Sequence, residues 1–186
     1  MLGLSMNVWS TTVLGNTLAE WILAFIIGLF VYVLLRLVVW LLHRRLKKYA
    51  DQSLPSPSVL IKNLLAHTYG IFYLILAIFT AQRSLSLSEI ATTVINTITI
   101  AAIIIQAGFW AVVILEYLIA RRAIARDGDL NYKKGPITAI LLIANIIIWT
   151  IVILLVLENI PGVHVTALLA SLGVAGIAVG LALQKV

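Results

Sequence analysis

Three uncharged polar side chains, His67, Gln106 and Asn145, each sit well inside a long apolar stretch. An imidazole can carry a proton or bind a metal. An amide can only exchange hydrogen bonds. In apolar surroundings such groups read as hydrogen-bond partners between helices rather than as a transport pathway. Glu20, Arg36, Lys62, Arg83 and Glu116 fall within a turn or two of the ends of apolar stretches, where they can snorkel to a polar boundary. No acidic residue lies near a midpoint, so the Asp, Glu and His relay of a proton-coupled pump is missing. The sequence has no HExxH, no phosphate-binding GxxxxGK loop and no CxxC. His43, His67 and His164 fall on three separate segments without metal-ligand spacing. The reading is of a protein without metal or cofactor, and not an enzyme.

The elements that must hold these residues follow from composition. Of 186 residues 62% are hydrophobic and 11% charged, and the mean hydropathy is +1.12. A soluble domain of this length needs more charge on its surface. Apolar runs of about 20 residues, enough to cross a hydrocarbon core of about 30 Å, recur along the chain. An all-α membrane protein of about five transmembrane helices is expected. The spans are about Leu18 to Leu42, Val59 to Ala81, Ile90 to Ala120, Ile137 to Leu157, and a fifth from near His164. Trp21 and Trp40 lie about 28 Å apart at the helical rise, matching two interfacial belts. The third span is long enough to tilt or to project from the bilayer. Without cysteine there is no disulfide and no thiolate site. The N-terminus lacks the basic region and cleavage site of a signal peptide.

Charge sets the orientation. The loop after the first span carries Arg44, Arg45, Lys47 and Lys48, and the loop after the third carries Arg121, Arg122, Arg126, Lys133 and Lys134. The alternate loops, "QRSLSLSE" and "ENIPGVH", hold Arg83 alone. The positive-inside rule then puts the N-terminus outside and the C-terminus in the cytoplasm. The net charge of +6 resides in these loops, which fits lipid headgroups rather than nucleic acid. The expected organisation is an extracytoplasmic segment over 1–17 and a peripheral three-helix sensor region over 18–120. A basic cytoplasmic loop over 121–136 and a core helix hairpin over 137–186 complete it.

The last helix, "LLASLGVAGIAVGLALQKV", differs from the rest in being built of Gly and Ala. On a helical wheel Thr166, Ala170, Ile177, Leu181 and Gln184 form one narrow stripe. Gly173, Gly176 and Gly180 lie on one flank, and Ala175, Ala178 and Ala182 on the other. Holes on one flank and knobs on the other let a helix pack on a copy of itself head to tail, a contact that rotation closes into a ring. The stripe would then line a central pore, with Ile177 and Leu181 as apolar rings one turn apart that close it by dewetting. The alternative from spacing alone is that "GIAVG" is a plain GxxxG packing against the helix's own chain.

"SLGVAGIAVGLALQ" resembles the pore-lining helix of the small-conductance mechanosensitive (MscS-like) channels. The resemblance is strongest over 166–184 and extends more faintly into the fourth span and the "NIPGVHV" turn. It implies a homoheptameric channel of the bacterial inner membrane, opened by lateral tension, that releases ions and small osmolytes during osmotic stress. Its partners would be further copies of itself, membrane lipids and the permeating solutes. It also implies that Ala178 packs near Gly176 and Gly180 of a neighbour, and that Ile177 and Leu181 are the two constriction rings. Lys185 stands where the family often has Gly, at the inner mouth. A lysine ring there would favour anions, or the residue is an interfacial anchor. Family members continue into an amphipathic half-helix, a β-domain and an α/β cage, so a transmembrane part without its cytoplasmic domains is expected here. The rival readings are a transporter subunit, or a membrane scaffold that uses its GxxxG helix for assembly.

Overall fold

The structure, a computed structural model, describes residues 12–49, 56–127 and 136–184. Its first element is a small hairpin, β1 (Thr12–Val13) and β2 (Asn16–Thr17), which the sequence reading did not anticipate. Leu14 and Gly15 both have positive φ, 54° and 83°, as a tight two-residue hairpin turn requires. Asn16 is buried, and its Oδ1 accepts the Ser86 N–H at 2.6 Å while Nδ2 donates to Ser86 O at 3.1 Å. The hairpin is thereby pinned to a loop 70 residues away. Thr17 and Glu20 then open the first helix as a reciprocal cap: the Thr17 N–H donates to Glu20 Oε2 at 2.7 Å, and the Glu20 N–H to Thr17 Oγ1 at 3.3 Å.

The helices are α1 (Leu18–Tyr49), α2 (Pro57–Ala66), α3 (Gly70–Gln82), α4 (Glu89–Asp127), α5 (Pro136–Glu158) and α6 (Thr166–Leu183). Of these α1, α4 and α5 are long and apolar enough to cross a membrane. The all-α membrane fold is as expected, but among the described residues three helices are long enough to span, or four if α2 and α3 form one bent span, where about five were expected; α6 is a shorter apolar helix. At about 58 Å by helical rise, α4 exceeds the hydrocarbon thickness, as its long apolar run suggested.

The segment 59–81 is not one straight span. Two helices, α2 and α3, meet there at 71° across a break. Ser56 Oγ accepts the Val59 N–H and Pro57 opens α2, a favoured start. Its end has a local cause. His67 Nδ1 lies 2.8 Å from Asn63 O, and Thr68 Oγ1 donates to Leu64 O at 2.9 Å. Asn63 O keeps its helical bond from the His67 N–H at 3.0 Å, but the Thr68 N–H turns to Leu65 O at 3.2 Å, so the Thr68 hydroxyl takes up the Leu64 carbonyl that a continuing helix would use. Non-helical backbone at membrane depth persists only where protein groups satisfy it. Here α4 does so: Gln106, buried, donates from Nε2 to His67 O at 3.0 Å, and Trp110 Nε1 donates to Thr68 Oγ1 at 3.1 Å. Gln106 is therefore the interhelical partner that the sequence suggested. His67 takes part through its carbonyl rather than its ring.

Neighbouring helices run antiparallel in the spatial order α1, α3, α4, α5. Gly28 of α1 faces Ala77 and Ala81 of α3 so closely that an added Cβ would lie 3.3 Å from Ala81 Cβ. Gln82 of α3 donates to Asn96 Oδ1 of α4 at 2.9 Å. Phe109 of α4 lies between Tyr69 and Trp149, tilted against the first and edge-on to the second, with ring centroids 4.9 Å away in each case. At Gly108 of α4, a Cβ would come within 2.6 Å of Val152 Cγ2 on α5. Small residues at these crossings give the close approach that packing in lipid depends on. The outward faces carry Phe25, Phe30, Leu34, Ile143, Ile147 and Ile151 exposed, a surface suited to acyl chains.

Candidate functional site

The last helix is positioned from its start. α5 ends at Glu158, and the chain turns through Gly162, whose φ of +84° suits only glycine without strain. Glu158 Oε2 accepts the Val165 N–H at 3.1 Å, and Val165 is 3% exposed. Asn159 Nδ2 donates to Thr97 O of α4 at 2.9 Å. The α5–α6 turn is therefore tied both to the end of α5 and, across 62 residues, to α4. The sequence placed a loop here without assigning these roles. The Glu-Asn pair at a helix end, followed by Pro161 and Gly162, is turn chemistry that signals them.

Beyond Val165 every residue of the helix whose burial is described is exposed. Thr166 opens it, and the Gln184 N–H closes it on Gly180 O at 3.1 Å. Ser171 Oγ donates back to Leu168 O at 2.8 Å and so makes no link to another helix. Ala170 and Gln184 are exposed, and Ile177 and Leu181 are 66% and 62% exposed. The Gly flank is bare: a Cβ added at Gly173, Gly176 or Gly180 meets nothing within 4 Å. The Ala flank, Ala175, Ala178 and Ala182, is exposed as well. The structure thus keeps the stripe and both flanks on one continuous helix. Among the described residues it does not use "GIAVG" for packing within the chain. Lys133, Lys134 and Lys185 lie outside the described residues.

Of the other polar residues, Arg83 and Glu20 have structural partners and Asn145 makes no interhelical hydrogen bond among the described residues. Asn145 is exposed on α5 and lines, with Glu116 and Thr138, a cleft of about 250 Å³ between α4 and α5. Arg83 lies over the Phe79 ring at 5.2 Å, and Glu20 serves the cap of α1. Among the described residues no group of three His, Asp or Glu side chains converges as a metal site.

Residues 143–184 match the family described as mechanosensitive ion channel, transmembrane helices 2/3. The match begins in α5, passes through the Glu158–Val165 turn and ends with α6. The partial MscS-like resemblance therefore holds, and it reaches upstream of 166–184 to include most of the helix before the turn. The chain matches no curated protein and no solved structure.

Proposed function

We propose that this chain is the transmembrane part of a mechanosensitive channel in which α6, repeated around an axis, lines the pore. One observation carries the reading. The segment that matches the channel family ends in a helix whose apolar stripe and two small-residue flanks have no partner within the described chain. A ring of copies, heptameric by the resemblance, gives those flanks partners: Gly173, Gly176 and Gly180 receive Ala175, Ala178 and Ala182 of the neighbour. Thr166, Ala170, Ile177, Leu181 and Gln184 face the axis, Ile177 and Leu181 form the closed gate, and Lys185 stands at the inner mouth.

Tension acts as a population shift toward the state of larger in-plane area. The region 18–120 is the peripheral sensor, and the bond from Asn159 to Thr97 joins the long α4 to the turn that leads into the pore helix. Ions and small osmolytes would pass without a catalytic step.

The proposed site is the bacterial inner membrane, with the N-terminal hairpin outside and the loops after α1 and α4 in the cytoplasm. Single cysteines at 84 and 160 are expected to react with a membrane-impermeant reagent on intact cells, and cysteines at 45 and 122 only after lysis. Labelling of 45 or 122 from outside would contradict this orientation. The function itself is tested by recording current from stretched patches that contain the full-length protein.

A further inference from the structure

A cavity of about 540 Å³ opens between α1 and the break that separates α2 from α3. Its polar lining is Arg36, His43, Thr68 and Tyr73, and among the described residues no carboxylate lines it. Among the described residues Arg36 hydrogen-bonds to Tyr32, with Nε 3.4 Å from the hydroxyl and the guanidinium 5.9 Å from the ring centroid. Gly70, the first residue of α3, lies against this guanidinium; a Cβ there would be 3.7 Å from Arg36 Nη2. α3 is 13 residues long and no side chain caps its N-terminus, so its positive end adds to the arginine charge. Tyr73 is 6% exposed, and its buried hydroxyl lies beside the Thr68 side chain without forming a hydrogen bond of good geometry among the described residues. An unmet buried hydroxyl is costly, and this one belongs to a residue that lines a cationic cavity.

We propose that this cavity binds the phosphate of an anionic phospholipid. Arg36 and the N–H groups at the start of α3 hold the phosphate oxygens, and the Tyr73 hydroxyl donates a further hydrogen bond. The rest of the lining argues for a lipid over a free anion. Val33, Leu37 and Val39 form an apolar wall that continues onto the exposed face of α1, where an acyl chain can lie. Trp40, also in the lining, marks the inner interfacial belt at which headgroups sit. The lipid would fill the angle between α2 and α3. Membrane composition would then act on the bend itself, apart from any role of the pore helix.

The test is a titration of delipidated full-length protein with phosphatidylglycerol, followed by native mass spectrometry. Arg36→Gln is expected to weaken binding about tenfold or more, as for a hydrogen bond to a charged group. Tyr73→Phe, which keeps the ring, should weaken it about fivefold. Arg45→Gln, a basic residue on the same helix outside the cavity, should leave it nearly unchanged. Equal losses for Arg36→Gln and Arg45→Gln would mean diffuse surface attraction and overturn the site. Unchanged binding in Tyr73→Phe would overturn the seating of the phosphate, and this variant decides the matter if Arg36→Gln does not fold. Displacement of the lipid by an equal concentration of inorganic phosphate would make the cavity a free-anion site and reject the lipid.

Discussion

Leu181→Ser in the full-length protein is expected to open at lower tension and to slow growth by leak. The side chain is 62% exposed on a helix that is apolar on every side. In the proposed ring it narrows the pore one turn below Ile177, and water leaves an apolar constriction readily. A hydroxyl gives water a partner there. At about 0.5 kcal/mol per subunit, the low end for a hydrogen bond, the change sums over a heptamer to about 3.5 kcal/mol. At about 1.4 kcal/mol per factor of ten, the open-to-closed ratio at fixed tension rises about 300-fold. Leu168→Ser is the comparison, on the same helix but on the opposite side of the wheel. It should alter packing or yield, not threshold. A threshold in Leu181→Ser patches that equals or exceeds the wild-type value, at matched protein level, would remove Leu181 from the gate.

Gly180→Leu is expected to break the assembly. Within one chain this position is open, since an added Cβ meets nothing within 4 Å. A monomer would therefore accept leucine at little cost. In the ring, Gly180 receives a small residue of the neighbour, and overpacking of about 1–3 kcal/mol recurs at every interface. The purified variant should lose the single wild-type mass and give smaller or mixed species. Ala139→Leu, at an exposed position of α5, should keep the wild-type mass. Wild-type mass in Gly180→Leu would contradict the interface. A wild-type assembly of one or two copies would instead favour a transporter subunit or a scaffold.

The long spans were legible because hydrophobic length decides membrane crossing, and α1, α4 and α5 follow the apolar runs closely. The last helix was legible because small residues at fixed spacing are rare among bulky ones. The break over 67–69 was not. Composition keeps the hydropathy of 59–81 continuous, while the cause is local: the Thr68 hydroxyl bonds back to Leu64 O, and Gln106 and Trp110, 39 and 42 residues away, donate to His67 O and to the Thr68 hydroxyl. The terminal hairpin was equally hidden, since two-residue strands carry no periodicity and Asn16 finds its distant partner, Ser86, in the α3–α4 loop. At the candidate site the sequence supplied the stripe and flanks. It did not show that Glu158 and Asn159 anchor the turn, because the first bond depends on how the turn folds back on Val165 and the second on where α4 lies.

The central claim is that α6 lines a pore opened by tension. Its most direct test is current through excised patches of liposomes holding the purified full-length protein, with pipette suction raised stepwise. The account predicts discrete openings that appear above a threshold suction, close on release and are absent from protein-free liposomes. Silence up to patch rupture, with the protein verified as a folded oligomer in the same membranes, would contradict it.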